Sequence, residues 1–224
     1  MKTNTELQND VMDEFQWDSQ LRSVASQIGV AAKDGVVTLS GLVDTYSKKL
    51  AAERIAQRVQ GVRVVASDIE VKIPSSLKKT DTEIAEAIRN ALRWNNLVDE
   101  DKIKVKVDNG WVTMEGECEW SYQRLSAEGS IEDLMGVKGV TNLIRITTKL
   151  IDTKEVKSKI AAAFHRSATV DSSAIKLEAQ GSRLTLMGTV KSYAEKKEAE
   201  RIAWSSPGVL TVDNRIDIDA EVFA

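Results

Sequence analysis

The chain of 224 residues carries one histidine and one cysteine, so the chemistry open to it is narrow. His165 lies in AFHRSAT. A hydrolase triad or a histidine metal centre would need a base partner, a nucleophile or further ligands, and no motif supplies them. His165 reads instead as a cation at a helix C-terminus. Cys118 has no second cysteine to pair with, which fits a reducing compartment, and it reads as a small strand residue. The acidic run Asp99-Glu100-Asp101 could take a hard cation, but the EF-hand spacing is missing and Lys102 follows at once, so a solvated loop is expected. A phosphate-binding Walker loop, GxGxxG and CxxC are all missing. These residues predict no catalytic group, no metal and no cofactor. The expectation is a protein that is not an enzyme.

Binding chemistry has better candidates. Lys104 and Lys106 alternate with Ile103, Val105 and Val107, and Trp111 opens the next alternating stretch. With Arg145 from a later strand they are expected on one outward sheet face. Basic side chains around a Trp suit an anionic lipid head group, or stacking on single-stranded nucleic acid. Glu115 shares that face, and the segment holds more acids than bases, so nucleic acid is not expected. A solvated face, or one docked on a sister segment with Trp111 in the seam, is the plainer reading of the same residues. Trp17 and Trp94 stand two residues beyond an apolar helical stripe. Packing under the adjoining loops is the ordinary expectation for them, and a membrane-edge role is the alternative. For Trp120, Tyr122 and Trp204 burial is not assured. Lys48, Lys49, Arg54 and Arg58 come closest to a basic helix face.

These residues sit on a threefold repeat. DGVVTLSG at 34–41 returns as NGWVTMEG at 109–116 and GSRLTLMG at 181–188. Twenty residues after each closing glycine comes Gly-Val, at Gly61, Gly136 and Gly208, and AERIA occurs at 52–56 and 199–203. A repeat this long is a small domain rather than a solenoid turn. Each copy opens on a capping-box signal, Thr3…Glu6, Thr80…Glu83 and Asp152…Glu155. Apolar residues follow at four-residue spacing: Leu7, Val11, Phe15; Ile84, Ile88, Leu92; Val156, Ile160, Phe164. That is one buried helical stripe. The period then switches to two, marking a strand. Asp34-Gly35 and Asn109-Gly110 suit a two-residue hairpin turn with both residues at positive φ. The third copy is read with one extra residue there and a different turn. A second helix begins near Tyr46, Ser121 and Tyr193, the last with a Ser192…Glu195 box, and is expected to close on the Gly-Val pair. A last strand follows, with Ser67, Asn142 and Asn214 turned inward as satisfied structural groups.

The predicted class is α+β: three tandem α-β-β-α-β modules, 1–73, 80–149 and 152–220. Each is a three-stranded mixed sheet with two helices on one face. The short linker at 150–152 suggests closer docking of modules two and three than of one and two. Net charge is −3, no lure for nucleic acid. MKTNTELQNDVMDEF has no apolar signal core and nothing later could span a bilayer, which points to the cytoplasm, or to the periplasm had a signal been removed.

The module resembles the BON domain, a family named after OsmY and nodulation proteins. The resemblance is carried by the repeated glycines, by Tyr193-Ala194-Glu195-Lys196, by Ala199–Trp204 and by Pro207-Gly208-Val209. It covers nearly the whole chain. It implies an OsmY-like, non-catalytic binding or scaffold protein, linked to osmotic stress, that contacts phospholipid surfaces or partner proteins. A cytosolic sensor of a potassium-like ion or a metabolite is an alternative implication, and a chaperone for partner proteins is another. Unlike envelope members of the family, this sequence shows no export signal, and it holds three copies where OsmY has two. Its oligomeric state is open.

Overall fold

The computed structural model describes residues 2–147, 153–167, 173–206 and 209–218, without the side chains of 153–157. The first module runs α1 (Asn4–Trp17), β1 (Ile28–Lys33), β2 (Val36–Val43), α2 (Tyr46–Arg58) and β3 (Val64–Val71). The second repeats the order with α3 (Asp81–Trp94), β4 (Ile103–Asp108), β5 (Trp111–Cys118), α4 (Ser121–Glu132) and β6 (Gly139–Ile146). The third does so with α5 (Thr153–Arg166), β7 (Ile175–Gln180), β8 (Arg183–Val190), α6 (Tyr193–Trp204) and β9 (Thr211–Ile218). The fold is therefore α+β, three repeats of α-β-β-α-β.

The middle strand of every sheet is its second, antiparallel to the first and parallel to the third. Both pairings follow from the connections. A two-residue loop reverses the chain, whereas a whole helix between the second and third strands allows a parallel crossover. The periodic residues form the cores: Val11, Phe15 and Leu39 in the first module, Ile88 and Met114 in the second, Ile160 and Leu186 in the third.

Thr3 and Thr80 cap their helices as full capping boxes with Glu6 and Glu83. The third such pair, Asp152…Glu155, and the stripe residue Val156 fall outside what is described. Ser192 accepts the Glu195 amide, but the Glu195 carboxylate takes the amide of Lys191, one residue earlier than a box requires.

Asp34 and Gly35 have φ of 51° and 80°, and Asn109 and Gly110 have 52° and 83°, as the hairpin turn demands. The third turn corrects the sequence reading. Gln180 pairs with Arg183, so Gly181-Ser182 is also a two-residue loop with no insertion. It differs in kind, because Gly181 has positive φ and Ser182 does not, the pattern of a turn that needs glycine only at its first central position. The second helices also stop short of the Gly-Val pair. α2 ends at Arg58 and α4 at Glu132, and Gly61 and Gly136, at φ 99° and 94°, belong to the turn beyond. Gly208 and Pro207 lie outside the described residues.

The modules meet through their second helices. Ser47 at the start of α2 donates to Asp133, just past the end of α4, at 2.7 Å. Beside it, half-buried Tyr46 packs on the core of the second module. Arg124 in the first turn of α4 lies over Trp204, the last residue of α6. α6 packs in turn along α2, and Lys196 shares a groove with Arg63 of the first module. The start of each second helix thus meets the end of the next module's, and the chain closes into a ring. The strongest contact between second helices among the described residues joins modules one and three. Linker length limits how far neighbours can part, but complementary faces decide which helices pack.

Candidate functional site

The outer face of the second sheet holds all four residues singled out by spacing. Lys104 and Lys106 are exposed on β4, Trp111 is half exposed at the start of β5, and Arg145 is exposed on β6. The register separates them. Trp111 stands opposite Asp108 and Gly139 at one end of the sheet, while Arg145 stands opposite Glu117 near the other. Each cation has an acidic neighbour: Lys104 lies across from Glu115, Lys106 is 4.0 Å from Asp108, and Arg145 is 3.2 Å from Glu117. Trp111 is pinned rather than free. Its Nε1 donates to Thr141 at 2.8 Å, and its ring fills the space over Gly139, where a Cβ would stand 2.4 Å from it.

The other tryptophans divide. Trp17 and Trp94 are 86% and 88% exposed, which corrects the expectation of packing under loops. Each follows the last core residue of its helix, Phe15 or Leu92, by two positions, or about 200° of helical turn, and so leaves on the opposite face. Trp120 stacks on Tyr122 with ring centres 6.4 Å apart. His165 is exposed in the last turn of α5. Asp99 pairs with Lys102 at 3.0 Å. Cys118 donates its thiol to the Trp120 carbonyl, and burial pushes its pKa up. No group of three or more His, Cys, Asp or Glu side chains able to hold a metal occurs among the described residues.

Of the inward polar groups, two behave as expected and one does not. Asn142 Nδ2 donates to the Arg124 carbonyl and to Glu128 at 3.1 Å each, and its Oδ1 takes the Ile144 amide. Asn214 repeats the arrangement with Lys196, Glu200 and Ile216. Ser67 holds the same place in the first module, and its hydroxyl is buried with no hydrogen-bond partner.

The feature that spacing did not reveal is a cleft of about 830 Å³ between α2, α4 and α6. Arg54 and Arg58 enter it from α2, Arg124 from α4, and Lys197 and Arg201 from α6. Arg201 is held by Glu198 through two contacts of 2.7 Å. Arg124 lies 5.2 Å from the Trp204 ring centre and Lys197 lies 5.6 Å from that of Tyr193. The signal was divided among three repeats: each supplies one or two cations, and only the ring assembles them. No helix among the described residues is long and apolar enough to cross a membrane.

Comparison with known proteins bears on the repeated unit. The family model described as the BON domain matches residues 3–73, 80–148 and 152–220. Osmotically-inducible protein Y of Escherichia coli (strain K12) is 31% identical over 122 residues, covering 53% of this chain and 61% of that protein. The match therefore spans less than two thirds of the relative. Two solved structures of CdsD, a structural protein of the type III secretion system of Chlamydia trachomatis, align with 94% and 97% of this chain at 13% and 12% identity, covering 91% and 100% of their own chains. The TM-score is 0.27 for each.

Proposed function

The chain belongs to the BON-domain family, with three tandem copies filling most of its length, and on that footing we propose that it is a non-enzymatic binding protein that attaches to anionic phospholipid surfaces. The observation that carries this reading is the near-complete exposure of Trp17 and Trp94 at corresponding ends of α1 and α3. An indole left in water gains by moving into the interface of a bilayer, where its apolar body and its N–H are both accommodated. Two such contacts on one chain reinforce each other, since the second forms at the effective concentration set by the first. The outer face of the second sheet, with Lys104, Lys106, Trp111 and Arg145, is a subsidiary contact whose cations must first leave their acidic neighbours. Likeness to an osmotically inducible protein supports a place in the stress response.

The test is flotation of the purified chain with neutral and anionic phospholipid vesicles at low and physiological salt. Binding is expected on anionic vesicles, weakening as salt rises. The double variant Trp17→Ala/Trp94→Ala should lose it while melting like the parent. Lys104→Glu/Lys106→Glu measures the share of the sheet face. Failure to float with anionic vesicles at low salt would end this reading.

A further inference from the structure

We propose that the open cleft between α2, α4 and α6 binds a small organic polyphosphate of the nucleoside triphosphate class. The inference does not rest on the lipid reading, which uses Trp17 and Trp94, although the turn just past α1, Asp18 to Gln20, also lines the cleft. Its volume, about 830 Å³, lies within the range of small-molecule sites.

Charge comes first. Five cationic side chains line the cleft against three carboxylates, in a chain whose net charge is −3. Of those three carboxylates, Glu198 is engaged by Arg201, Glu200 accepts from Asn214, and Asp18 at the rim accepts the Gln20 amide. Arg58, Arg124 and Lys197 form no carboxylate ion pair among the described residues, and Arg124 and Lys197 are steadied instead by aromatic rings. Guanidinium groups in this state offer forked donors to phosphate oxygens. A second observation is independent of the cations. Ser121, the first residue of α4, lines the cleft, is 4% exposed, and its hydroxyl has no hydrogen-bond partner. A helix start with an unsatisfied hydroxyl is suited to an anionic oxygen.

The rest of the lining selects the body of the ligand. Leu125, Ile55 and the rings of Tyr193 and Trp204 give the walls an apolar share. A purely inorganic anion would leave those walls in water, and a hydrocarbon would bury cations without partners. A molecule with a chain of phosphates and a flat, partly apolar base satisfies both.

Isothermal titration of the full chain with ATP, inorganic tripolyphosphate and adenosine, without divalent cations, tests the assignment. Expected is one saturable ATP site per chain, at least about tenfold tighter than tripolyphosphate, with adenosine weaker still. Arg58→Ala and Lys197→Ala should each weaken ATP about tenfold, the scale of one charged hydrogen bond, with the ligand-free melting temperature unchanged. Absence of saturable binding overturns the proposal, as does ATP affinity indifferent to both Arg58→Ala and Lys197→Ala. Equal affinity for tripolyphosphate and ATP overturns the ligand class, because it leaves a charge patch with no use for the base. Either result is distinguishable from the flotation test, which uses other residues and another readout.

Discussion

Arg124 on α4 holds its guanidinium carbon 5.2 Å from the centre of the Trp204 ring on α6, across the junction of the second and third modules. An arginine over an indole face contributes about 0.5–1 kcal/mol when exposed and about 2 when desolvated. The two modules follow one another in the chain, so the pair sets orientation more than proximity. A double-mutant cycle of Arg124→Ala and Trp204→Leu, followed by thermal unfolding, should return a coupling of about 1 kcal/mol. A coupling near zero would show that the two side chains only happen to be adjacent. Ser47→Ala, at the junction of the first two modules, should be additive with both.

The closing glycine of each repeated octet has a single cause. Gly41, Gly116 and Gly188 have φ of 126°, 143° and 131°. A Cβ there would lie 2.1 Å from the Gln27 carbonyl oxygen, 2.1 Å from that of Lys102 and 2.0 Å from that of Ala174. The strand passes so close to the turn before its neighbour that no side chain fits. Gly116→Ala combines backbone strain of about 1–3 kcal/mol with a steric overlap against backbone that cannot rotate away. We expect a loss above about 2 kcal/mol in the second module, read by chemical denaturation. By contrast, Gly129→Ala should stabilise α4 by roughly 0.5–1 kcal/mol, because an added Cβ there meets nothing within 4 Å. Equal effects at the two positions would refute the steric account.

The three inward polar residues predict opposite outcomes in different modules. Asn142→Ala removes the clamp between β6 and α4 and leaves the Ile144 amide unpaired, at a cost of about 1–3 kcal/mol. Asn214→Ala should cost a similar amount in the third module. Ser67→Ala removes a buried hydroxyl that bonds to nothing, so it should be neutral or mildly stabilising. Comparing denaturation midpoints of the three variants checks this, and a loss at Ser67 equal to that at Asn142 would contradict the hydrogen-bond assignment.

The repeat was legible because its signals are local. Period, capping box, Asp-Gly turn and strand glycine each act within a few residues of backbone, so the sequence carries them directly. The third turn was misread, since Gly181-Ser182 uses a different pair of φ values in a loop of the same length. The exposure of Trp17 and Trp94 could have been found from the helical angle between them and the last core residue. The central cleft could not. Arg58, Arg124 and Lys197 belong to different repeats, and their meeting depends on which module faces complement one another, a property no single stretch of chain encodes.

Acid should act on two carboxyls in opposite directions. Glu83 accepts the Thr80 amide, the Lys79 ammonium and the Thr80 hydroxyl, which together lower its pKa from 4.5 to about 2. A carboxyl whose folded pKa lies below its unfolded value stabilises the fold above about 4.5, and that contribution drains away as pH falls towards about 2. Glu132, half-buried near the end of α4, is the reverse case. Burial is the main cause of its raised pKa and nearby Glu128 adds to it, while Arg54 of the first module opposes both. Its charged form is the unfavourable one in the folded chain, so its penalty is present at neutral pH and fades as pH falls through the raised value towards 4.5. Thermal melts at a series of pH values separate the two. Glu83→Gln should destabilise at pH 7, by an amount that shrinks steadily below pH 4.5. Glu132→Gln should stabilise at pH 7 and lose that advantage once the parent's own carboxyl is protonated. A Glu132→Gln variant less stable than the parent at pH 7 would mean that the attraction of Arg54 outweighs burial, and would make this residue a tie between the first two modules rather than a source of strain.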